Sequence, residues 1–269
     1  MTLYRASPKD GVAWITGAST GIGRMLALDL AQQGWRVAAT ARDPDGLSAL
    51  EREATASGLN ISVYPCDVTD EQGMERVVSA IENEVGPIVL AVFNAGVYSA
   101  TLGERLETYN FTTTFTVNVL GVMHGLVPVT DRMRDRGFGH VAIMGSVLSF
   151  YGLPTAAAYG GTKAALNVIA QSLRYDFDGL NIRLQVINPG FVRTPLTARM
   201  RFRMPALMTP QDAARRIAAG LRNGGFEVAF PRRLVWPMKA LSLLPTGLAY
   251  CIIQGLTGWG RNRFGRRRR

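Results

Sequence analysis

The chain of 269 residues is 47% hydrophobic and 19% charged, which gives enough apolar material for a substantial core within one domain. Two cysteines, Cys66 and Cys251, and two distant histidines, His124 and His140, show no CxxC or ligand spacing, which argues against a disulfide framework and a zinc centre. The net charge of +10 is unevenly spread: residues 1–198 hold 15 basic and 18 acidic side chains, residues 199–269 hold 15 and 2, so a nearly neutral front carries a basic back suited to a membrane or nucleic-acid surface.

The N-terminal stretch MTLYRASPKDG lacks the apolar run of a secretory signal, and a cytoplasmic location is expected. Seven short apolar, β-branched runs then alternate with stretches of helical periodicity: residues 12–15, 36–40, 61–64, 88–93, 140–144, 183–187 and 227–230. This alternation predicts an α/β fold, a doubly wound parallel sheet of seven strands with helices on both faces. Ligands of such a sheet lie beyond the carboxyl ends of the strands. Small or polar clusters stand at those ends: TGAST, TARD, PCDVTD, FNAG, MGS and NPG.

The first cluster, Thr16-Gly17-Ala18-Ser19-Thr20-Gly21-Ile22-Gly23, leads from a strand into a helix expected over 24–33. Glycines there let the backbone approach a pyrophosphate, and the helix N-terminus offers free N–H groups to it. A glycine trio is a weak signal alone, since a plain glycine-rich turn looks the same. The spacing TGxxxGxG is the form found in short-chain dehydrogenases. Further marks follow in order: Asp67-Val68, Asn94-Ala95-Gly96, Asn118 within TVNVLG, Ser146 at a strand end, Tyr159-Gly-Gly-Thr-Lys163, then Pro189-Gly190 with Val192 and Thr194. Over nearly the whole chain this series resembles the short-chain dehydrogenase/reductase family and its Rossmann fold. Departures are mild: Phe93 replaces the first Asn of the NNAG form, and Gly160-Gly161-Thr162 replaces a Ser-Ala-Ser.

The resemblance implies a catalytic set of Asn118, Ser146, Tyr159 and Lys163. In it Tyr159 exchanges the proton, Ser146 binds the substrate oxygen, Lys163 holds the nicotinamide ribose, and Asn118 supports a water-linked path to the lysine. It further implies adenine contacts at Asp67 and Val68, a carboxamide contact at Val192 and a phosphate contact at Thr194. Residue chemistry supports one step independently. Tyr159 and Lys163 are four apart on an expected helix and share a face, so the ammonium is expected to lower a phenol pKa that is ordinarily near 10.

Cofactor choice is set after the second strand, where an acidic residue would hold the ribose 2'-hydroxyl of NAD. Ala41 followed by Arg42 suits a 2'-phosphate instead, so NADP(H) is favoured over NAD(H); in the alternative Arg42 lies on the surface and Asp43 takes the ribose. Candidate substrate contacts are Tyr98, Leu148, Phe150, Tyr151, Leu153 and residues 191–208, a Met- and Leu-rich lid pointing to an apolar carbonyl or alcohol. After it, Thr209 is expected to cap a helix with Pro210 at its first position, running to Leu221.

Residues 1–230, including a lid at about 191–210, are thus expected to form the catalytic domain, and 231–269 a hydrophobic, Arg-rich extension without a fold of its own. Residues 240–259 carry no charge, yet Pro245 and three glycines weaken them as one continuous span. The extension either closes the substrate pocket, builds a subunit interface, or lies on a membrane through 232–269. No nucleic-acid module accompanies the arginines. The family resemblance implies a homodimer or homotetramer. An NAD-dependent alcohol dehydrogenase and a non-catalytic cofactor-binding protein are the competing readings. The proton-relay residues count against the second, since a binder needs none.

Overall fold

Strands that read as unbroken apolar runs must be covered on both faces. In the computed structural model, which describes residues 3–200 and 204–259, seven such runs form one parallel sheet in the order β3-β2-β1-β4-β5-β6-β7. The strands are β1 (Val12–Thr16), β2 (Arg36–Ala41), β3 (Ile61–Pro65), β4 (Ile88–Phe93), β5 (Gly139–Met144), β6 (Ile182–Pro189) and β7 (Glu227–Phe230). One face is covered by α1 (Gly21–Gln32), α2 (Pro44–Ala56) and α7 (Pro210–Asn223), whose Leu26, Leu47, Leu50 and Ile217 share a core with Ile15, Val37 and Ile187. The other is covered by α3 (Glu71–Glu84), α5 (Gly121–Arg136) and α6 (Ala157–Gly179), through Met74, Val78, Leu126, Met133 and Leu166. Between β4 and α5 lie α4 (Thr108–Phe115) and a π-helical turn, Thr116–Leu120.

The connections run outward from β1 to β2 and β3, and then return to place β4 on the other flank of β1. Loops leaving β1 and β4 therefore diverge, and a crevice opens between them at the strands' carboxyl ends. Helix α1 begins at Gly21, three residues before its expected start, because Gly21 at φ 58° turns the chain directly into the first helical turn. Helix α7 starts as expected, with the Thr209 hydroxyl accepting from the Asp212 amide at 3.1 Å and Pro210 in the first turn, and runs two residues past Leu221.

The chain ends in two short helices, α8 (Arg232–Leu243) and α9 (Thr246–Thr257), broken at Leu244 and Pro245. Their inward residues Met238, Leu241, Ala249 and Ile253 pack with Phe150, Tyr151, Leu153 and Leu234. Among the described residues no helix is long and apolar enough to cross a membrane. The terminal arginine run lies outside the described residues.

Candidate active site

A cleft of about 410 Å³ occupies the crevice. Its floor is the loop after β1. Gly17 sits at φ 68°, and a Cβ there would lie 2.7 Å from the Ala95 Cα, so only glycine lets this loop close against the chain leaving β4. The Asn94 side chain ties the two loops, donating from Nδ2 to the carbonyls of Thr16 at 3.0 Å and Gly17 at 3.1 Å. Gly23 lies behind the loop, where a side chain would strike the Gly17 carbonyl and the Asn94 amide. The predicted residues Gly17, Ser19, Thr20, Gly21, Ile22, Arg42, Asp67, Val68, Asn94, Ala95, Gly96, Pro189, Gly190, Val192 and Thr194 all line the cleft; Gly23 does not. A glycine-walled floor at the head of α1 has the shape and the free N–H groups that a dinucleotide pyrophosphate requires, so these residues fit such a group.

At one end of the cleft the Arg42 guanidinium, 76% exposed, reaches Asp67 at 3.4 Å. Burial opposes ionisation of Asp67, but the Thr69 amide and hydroxyl, with Arg42, outweigh it and hold the carboxyl below its ordinary value. Asp43, the residue before α2, and Ala41 line the same end.

At the other end α6 delivers Tyr159 and Lys163 one turn apart, and the loop after β5 delivers Ser146. All three are buried, and the Ser146 and Tyr159 side chains share a hydrogen bond. The Lys163 Nζ lies 5.7 Å from the centre of the Tyr159 ring and donates to the Met144 carbonyl at 2.7 Å. The expected lowering of the phenol is reversed here. Burial dominates and pushes Tyr159 up to about 12, with the Ser146 bond opposing it; burial likewise brings Lys163 down to about 8. Spacing places the ammonium on the correct helix face, but the missing solvent decides the sign.

Asn118 is fully buried and lies behind the cleft. The π-turn aims its side chain at the loop after β4: Oδ1 accepts from the Val97 amide at 2.8 Å, and Nδ2 donates to the Val97 carbonyl at 3.0 Å and to Thr162 Oγ1 at 3.1 Å. Its side chain thus locks Gly96 and Val97 beside Lys163.

Of the expected substrate contacts, Tyr98, Leu148, Phe150, Leu153 and Phe191 cluster around Tyr159 with Leu196, Met200, Met204 and Val235. The Tyr98 ring meets Tyr159 edge-on at 5.7 Å, and its hydroxyl bonds Thr155 Oγ1 at 2.9 Å. Tyr151 instead packs toward the tail helices. The lid is anchored where Val192 bridges Met208. Its residues 201–203 lie outside the described residues.

Sequence reasoning passed over Asn188, which is buried beside Ser146. Its Oδ1 accepts the Ser146 amide at 2.9 Å, and its Nδ2 donates to Glu227 Oε1 at 3.0 Å. The other Glu227 oxygen pairs with Lys239 of α8, whose ammonium lies over the Phe150 ring. The NPG cluster at the end of β6 was the only available signal for this link.

The family model for short chain dehydrogenase matches residues 11–204. An uncharacterized oxidoreductase of Myxococcus xanthus is 39% identical over 236 residues, spanning 88% of this chain and 93% of the relative. Two solved structures share the fold. An actinorhodin polyketide ketoreductase with NADPH aligns at TM-score 0.77 and 23% identity, covering 86% of this chain and 99% of that one. A Burkholderia phymatum short chain dehydrogenase/reductase in complex with NAD aligns at 0.79 and 19%, covering 89% and 94%.

Proposed function

Because the chain belongs to the short-chain dehydrogenase/reductase family, oxidoreductases that bind NAD(P)(H), we propose that it reduces an apolar carbonyl compound with NADPH, using Tyr159 as the general acid. The observation that carries this reading is the convergence of Ser146, Tyr159 and Lys163 on one buried end of a cleft floored by the glycine loop. When bound, the nicotinamide supplies or accepts the hydride. The chain's own residues handle the oxygen and the proton. Ser146 Oγ donates to the carbonyl oxygen and Tyr159 delivers its proton there. The phenol carries its proton at neutral pH, ordinarily and with burial holding it higher still, and so has one to give in the reductive direction. Lys163 has three donors and uses one on Met144, which leaves two for ribose hydroxyls. Asn118 keeps the wall beside Lys163 in place.

The preference for NADP(H) is supported by Arg42 at the cleft's edge, where a 2'-phosphate would be met by a charge-assisted bond. The apolar character of the substrate is supported by the ring of Tyr98, Leu148, Leu153, Phe191 and Met200 around Tyr159. A homo-oligomer is supported by Phe115, Leu120, Val127, Val168 and Tyr175, exposed along α4, α5, α6 and the π-turn. The test is oxidation of NADPH and NADH by the purified protein against a panel of apolar aldehydes and ketones, with Tyr159→Phe alongside. Turnover with NADPH that Tyr159→Phe abolishes supports the reading. Preference for NADH overturns the cofactor assignment, and tight cofactor binding without turnover across the panel favours a non-catalytic role.

A further inference from the structure

The outer face of the two terminal helices has no part in the chemistry above. Helix α8 turns Val235, Met238 and Leu241 inward and leaves Trp236, Ala240 and Leu243 exposed at positions i, i+4 and i+7. Helix α9 turns Ala249 and Ile253 inward and leaves Leu248, Ile252 and Leu256 outward at i, i+4 and i+8. Leu243 is 86% exposed and Leu256 77%. Seven of the sixteen large hydrophobic side chains exposed among the described residues lie within 236–256, a concentration that marks a contact surface.

The charge in this part of the sequence has one sign. No acidic residue follows Glu227, whereas residues 232–269 contain nine lysines and arginines. Lys239 is engaged by Glu227, but Arg232 and Arg233 are exposed at the head of α8, and the sequence beyond α9 adds six arginines. Helix α9 itself carries no charge. We propose that the outer face of α8 and α9 docks on an anionic lipid surface. The apolar rows enter the boundary between headgroups and acyl chains, Trp236 and Tyr250 sit at headgroup level, and Arg232 and Arg233 meet lipid phosphates.

The choice of lipid over other partners follows from the pattern. A second copy of this chain meeting the first through the same face would set like charge against like, since the region offers only one sign. A nucleic-acid backbone would leave the leucine rows without a counterpart. Neither helix is long enough to span, so the pair lies on the surface. Its inner face packs on Phe150, Tyr151 and Leu153, in the loop that follows Ser146. On the redox reading above, docking would hold the α8–α9 pair, and the loop it packs on, beside the bilayer that dissolves an apolar substrate. The docking itself does not depend on that reading.

The test is flotation of the full chain with vesicles of phosphatidylcholine alone and with about one third phosphatidylglycerol added. The chain is expected to float with the anionic vesicles only and to be released by high salt. Leu243→Glu combined with Leu256→Glu is expected to weaken flotation about tenfold or more. Arg232→Gln with Arg233→Gln should weaken it about fivefold per charge removed. Trp14 and Trp35 are buried, so a blue shift on vesicle addition comes from Trp236 or Trp259, and the part of it that Trp236→Phe removes would put α8 in the interface. Dinucleotide binding, measured separately, should be unchanged in every variant. Absence of flotation, equal flotation with neutral vesicles, or leucine variants that float normally would each overturn the proposal. So would leucine variants that dissociate an oligomer while keeping vesicle affinity, which would make this face a subunit interface.

Discussion

The side-chain oxygen of Asn188 accepts the Ser146 backbone amide at 2.9 Å, and through its own amide Asn188 is tied to Glu227 and thence to Lys239 on α8. The orientation of Ser146 is thereby coupled to the seating of the tail. Asn188→Ala strands a buried N–H and is expected to destabilise the fold by about 1–3 kcal/mol. The same substitution should lower kcat about tenfold while KM for the dinucleotide holds. Lys239→Met, at a partly exposed pair, should remove at most about 1 kcal/mol and lower kcat only a few-fold. Urea titration and steady-state kinetics of the two variants check both statements; equal kcat in Asn188→Ala and the parent would disconnect Asn188 from Ser146's role.

Lys163 and Tyr159 give opposite pH signatures. Burial holds the Lys163 ammonium at about 8 against an ordinary 10.5, so between those values the unfolded chain binds more protons and stability rises with pH. The penalty for the buried charge is fully present below 8. Tyr159, ordinarily at 10.0 and held near 12, makes stability fall with pH above about 10. Lys163→Met is expected to abolish the rise, at a slope of at most about 1.4 kcal/mol per pH unit. Turnover of the variant should drop on the order of 100-fold or more. Denaturant midpoints at pH 7, 8 and 9 decide it, and parallel pH curves for parent and variant would contradict the buried-ammonium account.

Arg42 is mostly exposed, and its contact with Asp67 contributes under about 1 kcal/mol to the fold. Arg42→Ala should therefore leave Tm essentially unmoved. Loss of a charge-assisted bond to a 2'-phosphate should raise KM for NADPH by about 10- to 100-fold and leave KM for NADH alone. Equal loss with both dinucleotides would mean that the residue does not read the phosphate.

The sheet was legible because its strands are short apolar runs closed by small or polar residues; all seven appear within two residues of the expected ends. The glycine loop was legible for a similar reason, since Gly17 and Gly21 adopt the positive φ that few other residues accept. What could not be read depends on tertiary placement. Asn188 gains its partners only when β6 pairs with β5, which brings Ser146, and with β7, which brings Glu227 alongside. The Met144 carbonyl that receives Lys163 is a backbone group without a side-chain signature. In the tail, apolar residues populate both faces of each helix, so periodicity alone did not distinguish the inward rows from the outward ones.

His140, far from the cleft chemistry, carries an acid-sensitive proton site in the core. Its Nε2 lies 2.9 Å from Gln185 Oε1, and the Gln185 amide donates to the carbonyls of Gly220 and Gly225, so the oxygen must accept and Nε2 must carry the hydrogen. Nδ1 is buried with no hydrogen-bond partner. Protonating it would place an unpartnered N–H in the core, close to the charge of Arg183. Burial, with Arg183 adding to it and the Gln185 bond opposing it, holds the imidazole at about 3 against an ordinary 6.5. Between these values the unfolded chain takes up the proton and the folded chain refuses it, so stability falls as pH drops from 6.5 toward 3. His140→Gln keeps a donor for Gln185 and has nothing to titrate. The parent is expected to be the more stable of the two at pH 7 and to lose that advantage by pH 4, at a slope of at most about 1.4 kcal/mol per pH unit. Urea midpoints across this range measure the difference, and a gap that does not narrow with acid would locate the acid-labile proton on another group.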